Sequence, residues 1–96
     1  MKVAFVVHGF VQGVGYRYFV RGVALRFGIH GFVENKKDGS VLVVAQGEEE
    51  ALERFEAAIN ISEEHGVQVL SMEKVVQNDP DFPKARYNRS KFAIRK

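Results

Sequence analysis

The sequence predicts an α+β sandwich of the βαββαβ type, an antiparallel sheet with two helices on one face. Three observations predict it. Apolar residues alternate or run on at 2–11, 32–35, 41–45 and 67–76 but recur at helical spacing after residues 16 and 48, so strand and helix signals interleave in that order. Asp38-Gly39 lies between the second and third apolar runs, where it signals a hairpin. Ninety-six residues, 46% of them apolar, leave room for one core, so a single domain over 1–96 is expected.

Residues 2–11 hold Val3, Phe5, Val6, Val7, Phe10 and Val11, a β-branched and aromatic run that reads as a largely buried first strand. Gly9, Gly13 and Gly15 then punctuate the chain. From about Tyr16, the residues Phe19, Val20, Val23, Ala24 and Phe27 follow helical spacing, and Gly28 fits a C-terminal cap. Phe32 to Asn35 and Val41 to Ala45 are the arms of the hairpin, with Asp38 and Gly39 both able to take positive φ. Gly47 leads into Glu48-Glu49-Glu50, acids that suit the positive end of a helix whose apolar stripe is Leu52, Phe55, Ala58 and Ile59. That helix is expected to end near Asn60, with the stretch to Gly66 a connection. Val67 to Val76 is a further strand; its alternation changes phase between Val69 and Leu70, which marks a bulge or a shifted boundary. Phe92 and Ile94 mark a last short strand. Gln77 to Lys91, polar and holding Pro80 and Pro83, reads as a loop on one side of the sheet. Right-handed crossovers leave few ways to connect this order, and the result is the ferredoxin-like arrangement, its second face left for solvent or partners. Phe5, Phe19, Phe27, Phe32, Phe55 and Phe92 are assigned to the core.

Composition excludes several chemistries. Cysteine is absent, which removes disulfides, thiolate nucleophiles and thiolate metal sites. His8, His30 and His65 have no ligand-like spacing, so neither a metal nor another cofactor is expected. The run Val3 to Val7 is too short for a membrane span or a signal-peptide core, and a cytoplasmic location is expected. Fourteen Lys and Arg against twelve Asp and Glu give a net charge of +2, too small to predict a polyanionic partner. The distribution is uneven, however: Arg17, Arg21, Arg26, Lys36 and Lys37 face only Glu34 across residues 17–37, whereas residues 48–56 carry five glutamates and one arginine. An anionic ligand would favour the first half, although ordinary solvated helix faces give the same pattern.

The stretch Gly9-Phe10-Val11-Gln12-Gly13-Val14-Gly15-Tyr16-Arg17 links the first strand to the first helix. Glycines at 13 and 15 let successive backbone N–H groups converge on one anion, and the helix N-terminus adds unpaired donors and a favourable dipole. Arg17 leans back over the loop, and its planar fork suits phosphate oxygens. Gln12, Gly13, Val14, Gly15, Tyr16 and Arg17 are therefore the candidate phosphate cradle, though glycine-rich turns between strand and helix also serve purely structural ends.

Val11-Gln12-Gly13-Val14-Gly15-Tyr16-Arg17 is similar to the acylphosphatase signature, a Val-Gln-Gly-Val loop ending in arginine. Gly31-Phe32-Val33-Glu34-Asn35, followed by Asp38-Gly39-Ser40-Val41 and Gly47, resembles the same family's strand-and-hairpin motif that carries its asparagine, and Phe92-Ala93-Ile94-Arg95 resembles its closing strand. The resemblance implies metal-free hydrolysis of an acyl phosphate to a carboxylate and inorganic phosphate. Arg17 and the loop amides would hold the phosphoryl group and Asn35 would position the attacking water, which makes Arg17 and Asn35 the catalytic candidates. The expected partner is a small-molecule acyl phosphate, with neither nucleic acid nor membrane involved, and the chain is read as a monomer.

Three positions depart from the family pattern. Tyr16 replaces the usual phenylalanine, and its hydroxyl needs a partner if buried. Glu34 stands where basic or uncharged residues are usual, yet alternation points it to the face opposite Asn35. Asn60 to Gly66 replaces a Gly-Pro-Pro turn. Elsewhere, Asp38 is simplest as a turn residue and Glu34 as an exposed strand position rather than a pair of bases. Tyr18 either shapes the acyl end of the site or packs on the helix surface. Two rival functions keep the fold: an acylphosphatase-like module that binds phosphate or carbamoyl phosphate without turnover, as in some hydrogenase-maturation proteins, and an RNA-binding domain. Chain length counts against the first. Against the second, Gly31-Phe32-Val33 is only a fragment of the required motif, and Val41 to Ala45 lacks an aromatic.

Overall fold

Alternation along the first strand sets the layering. The computed structural model describes residues 1–64, 66–88 and 90–95, for residues 62–64 the backbone only, so His65 lies outside the described residues. In chain order the elements are β1 (Lys2–Phe10), α1 (Tyr16–Arg26), β2 (His30–Asn35), β3 (Val41–Gln46), α2 (Glu49–Ile59), β4 (Ser62–Glu64), β5 (Val67–Val76) and β6 (Phe92–Arg95). The strands form one sheet in the order β4-β5-β1-β3-β2-β6. Val3, Phe5 and Val7 of β1 turn to one face with Val33, Val43 and Ala45, and there meet Val20, Val23 and Ala24 of α1 and Leu52, Phe55 and Ile59 of α2. Phe55 stands between Phe5 and Phe92, with ring centroids 6.4 and 6.0 Å away. Phe19 and Phe27 pack against this core only half-buried.

The structure differs from the expected sheet in three respects. β6 runs parallel to β2, from Gly31 opposite Phe92 to Glu34 opposite Arg95, so the sheet is mixed at that edge. Direction follows from connection: β5 ends at Val76 opposite Val3, the end of the sheet where β1 begins, and a chain returning from there must run the way β2 does. The short strand β4, unexpected in a polar Ser-Glu-Glu stretch with no alternation, pairs antiparallel with β5. The second face is also covered. Ala4, Phe32 and Val44 are buried there beneath Leu42, Val75, Phe82 and Tyr87, so the loop 77–91 lies across a surface expected to be open, and Phe32 belongs to this face and not to the helical one.

Local chemistry explains the element boundaries. α1 ends in a Schellman turn in which Gly28 N–H donates to Leu25 at 3.4 Å and Ile29 N–H to Ala24 at 2.8 Å. The β2–β3 hairpin closes through Lys36 N–H to the Ser40 carbonyl at 2.8 Å and Gly39 N–H to that of Lys36 at 3.2 Å. It therefore has a three-residue loop, Lys37 to Gly39, between the expected arms, and Asp38 serves by its carboxylate, which accepts the Ser40 N–H at 2.9 Å and hydroxyl at 2.5 Å. Those bonds hold the Asp38 carboxyl below its usual pKa, as suits a turn residue that stays ionised. At the outer edge Arg21 Nε donates to the Phe92 carbonyl of β6 at 3.2 Å.

The phase change in β5 is a bulge. His8 faces Ser71 and Gly9 faces Val69, which leaves Leu70 as the extra residue. Gly9 has φ +139, and a Cβ there would lie 2.1 Å from the Gln68 carbonyl oxygen. Tyr16, at the start of α1, is buried with its hydroxyl donating to the Ile59 carbonyl at 2.7 Å. Ile59 is the last residue of α2, where helical carbonyls lack partners within the helix, so the bond joins the start of one helix to the end of the other. Burial pushes the Tyr16 phenol well above its ordinary pKa, which keeps it a donor.

Gly9→Ala should lower stability by about 2 kcal/mol or more, since both the angle and the space are denied to a side chain, and urea unfolding will report it. Tyr16→Phe should cost about 1 kcal/mol in the same measurement, the net worth of one hydrogen bond.

Candidate phosphate-binding site

Residues 12–15 form a bent loop between β1 and α1. Gly13 and Gly15 take φ of +75 and +80. A Cβ on either would meet nothing within 4 Å, so glycine is required there for the backbone angle and not for room. Gly15 is the N-cap of α1, and no side chain among the described residues caps that helix. Its first intrahelical bond is Phe19 N–H to the Gly15 carbonyl at 3.1 Å, which leaves the N–H groups of the first turn at the open, positive end.

Side chains of the loop divide the work. Gln12 Nε2 donates to the Lys36 carbonyl at 2.7 Å and to the Ser40 carbonyl at 2.8 Å, which uses both hydrogens of its amide. Gln12 is thus a strut between the loop and the hairpin, and only its backbone can serve an anion. Val14 packs against the core and Tyr16 points into it, so these two also contribute only backbone to the cradle. Arg17 Nη1 donates to the Arg95 carbonyl at 2.8 Å, one of the five N–H donors of its guanidinium.

Asn35 is the last residue of β2, level with Val41 and Val7 in the register of β2, β3 and β1. Its Oδ1 is buried with no hydrogen-bond partner among the described residues. A buried acceptor left unpaired costs about 1–3 kcal/mol, so it marks a place where something else is meant to donate. The strut and the Arg17–Arg95 bond bring the cradle and Asn35 to the same end of the sheet. Glu34 faces the other way, with Oε1 3.8 Å from Arg95 Nη1.

The remaining candidates fall elsewhere. His8 Nε2 lies 2.8 Å from Glu73 Oε1 on the surface, and Tyr18 is 72% exposed. Among the described residues no three His, Asp or Glu stand where they could hold a metal ion, and no helix is long and apolar enough to cross a membrane. Sequence reasoning missed two parts of the site: the strut at Gln12 and the carbonyl of Arg95 that holds Arg17. A glutamine within a glycine-rich loop offers a weak signal for the first, because its backbone alone could account for the motif. Nothing in a side-chain sequence signals the second.

The family profile for acylphosphatase matches residues 3–94, a span that includes the cradle, Asn35 and the start of β6. The acylphosphatase of Mannheimia succiniciproducens is 38% identical over 79 residues, which are 82% of this chain and 83% of that one. That of Deinococcus radiodurans is 52% identical over 55 residues, 57% of this chain and 63% of its own length. The crystal structure of acylphosphatase from Bacillus subtilis superposes with a TM-score of 0.80 at 30% identity, covering 99% of this chain and 98% of that one. A match over nearly the whole length, with Gln12 to Arg17 and Asn35 inside it, means that this chain belongs to the acylphosphatase family.

Proposed function

We propose that the chain hydrolyses a small acyl phosphate to a carboxylate and inorganic phosphate, with Arg17 and the amides of residues 12–17 holding the phosphoryl group and Asn35 holding the attacking water. The observation that carries this reading is the buried Oδ1 of Asn35, without a hydrogen-bond partner among the described residues, at the same end of the sheet as the cradle. A water donating to that oxygen keeps its lone pairs for phosphorus. Asn35 also brings no charge of its own near the phosphate dianion.

The reaction needs little else from the protein. The water oxygen bonds to phosphorus as the bond from phosphorus to the carboxylate oxygen breaks, the carboxylate leaves as a stable anion, and the water's proton passes to a phosphate oxygen. Positioning and charge neutralisation dominate such in-line transfers, and the guanidinium with the open helix end supplies both. The chain is read as acting without a metal, as a cytoplasmic monomer. A binding module without turnover would use the same cradle, and turnover of an acyl phosphate separates the two readings. The burial of Phe32 beneath Tyr87 counts against an RNA surface on the second face, since the aromatic that would stack on bases is covered.

Phosphate release from benzoyl phosphate, with chelator present, tests the reading. Arg17→Ala and Asn35→Ala should each lower kcat/KM by about 10²-fold or more with the fold intact by circular dichroism. A folded native chain that binds phosphate but releases none from acyl phosphates would overturn it in favour of the module. Gln12→Met, which removes both donors of the strut, should lower stability by about 1–2 kcal/mol and kcat/KM by roughly tenfold, read by urea unfolding and the same assay.

A further inference from the structure

We propose that Glu34 and Arg95 are positioning residues that hold Arg17 from the far face of the sheet, an inference resting on the reading that Arg17 binds the phosphoryl group. Arg95 closes β6 opposite Glu34 of β2, and its carbonyl accepts the 2.8 Å bond from Arg17 Nη1. The side chain of the same residue crosses to the other face. There its guanidinium carbon lies 3.7 Å from the centroid of the Phe32 ring, Nη1 lies 3.8 Å from Glu34 Oε1, and Nη2 donates to the Arg86 carbonyl in the loop 77–91. Phe32 is buried and 6.0 Å from the ring of Tyr87, so the platform beneath the guanidinium is itself held.

β6 is a four-residue strand with a neighbour strand on one side only. Edge strands of this length open easily, so the position of a carbonyl at the strand end depends on what else fixes that residue. For Arg95 the contacts to Phe32, Glu34 and Arg86 do so. The Arg95–Glu34 pair is about one-third exposed on both sides, so its Coulomb energy is modest, and its effect is geometric.

Among the described residues the contact to Arg17 runs through a neutral carbonyl. A carboxylate against Arg17 would neutralise the guanidinium and compete with phosphate, whereas a neutral carbonyl orients it and leaves its charge available. Alternation along β2 places the Glu34 carboxylate on the face away from the cradle, where it serves Arg95 instead. The acidic departure from the family pattern is in this way kept out of the substrate's field and put to structural use.

The test is a double-mutant cycle on the full chain. Arg95→Met keeps the apolar contact with Phe32 but removes the donors, and Glu34→Gln removes the charge alone. In the native background Arg95→Met should raise the inhibition constant of inorganic phosphate and KM for benzoyl phosphate roughly tenfold while kcat changes less, the scale of one lost orienting bond. Glu34→Gln should shift both in the same direction by a smaller factor, and Arg95→Lys should recover part of the loss. In an Arg17→Ala background Arg95→Met should alter phosphate inhibition by no more than about twofold, because the group it positions is gone. Equal losses in both backgrounds, or native phosphate inhibition in Arg95→Met, would overturn the proposal. A native chain with no turnover and no phosphate inhibition would instead overturn the function on which it rests.

Discussion

Two hydrogen bonds from one carboxamide join the halves of this site. The cradle belongs to the connection between β1 and α1, while Asn35 belongs to the β2–β3 hairpin, and the sheet register sets Asn35 level with Val41 and Val7 but does not by itself tie down the loop that follows β1. Gln12 does so by donating to the Lys36 and Ser40 carbonyls, the residues at which the hairpin closes. Because both bonds end on backbone atoms, the distance from loop to hairpin is independent of side-chain rotamers on the far side. On the proposed reading, this strut fixes the geometry between a phosphate in the loop and a water on Asn35, the condition for in-line attack.

The rest of the molecule supports that junction in layers. The helical face packs Tyr16 and Val20 of α1 against the sheet, which anchors the helix that starts at the cradle. The Tyr16–Ile59 bond carries the same restraint to α2. On the other face the loop 77–91 places Phe82 and Tyr87 over Ala4, Phe32 and Val44, giving the sheet a second, smaller apolar layer. The end of the sheet that carries Asn35 and the loop 12–15 thus belongs to a body packed on both faces.

Legibility in the sequence followed physical mechanism. Both helices, the hairpin and β6 were readable because their apolar periods and turn residues act locally, and the bulge at Leu70 was readable because an extra residue must break alternation. β4 was not, since Ser62–Glu64 has no apolar alternation and pairs only because β5 lies beside it. The cover on the second face was hidden for a related reason: Phe82 and Tyr87 are isolated aromatics in a polar, proline-containing stretch with no period to place them. At the site, glycine spacing and Arg17 announced a cradle, and the resemblance singled out Asn35. The strut and the Arg95 carbonyl depend on which backbone atoms come close in space, information that residue types alone do not hold.

The bond from Arg21 Nε to the Phe92 carbonyl bears on the outer edge of the sheet. β6 is the outermost strand, and its free side is where another extended chain could add itself to the sheet. A strand arriving there would have to displace a guanidinium from the Phe92 carbonyl and then pair beside a positive charge. Arg21 stands one helical turn beyond Arg17 on α1, so one helix sends two successive guanidinium groups to backbone carbonyls of β6.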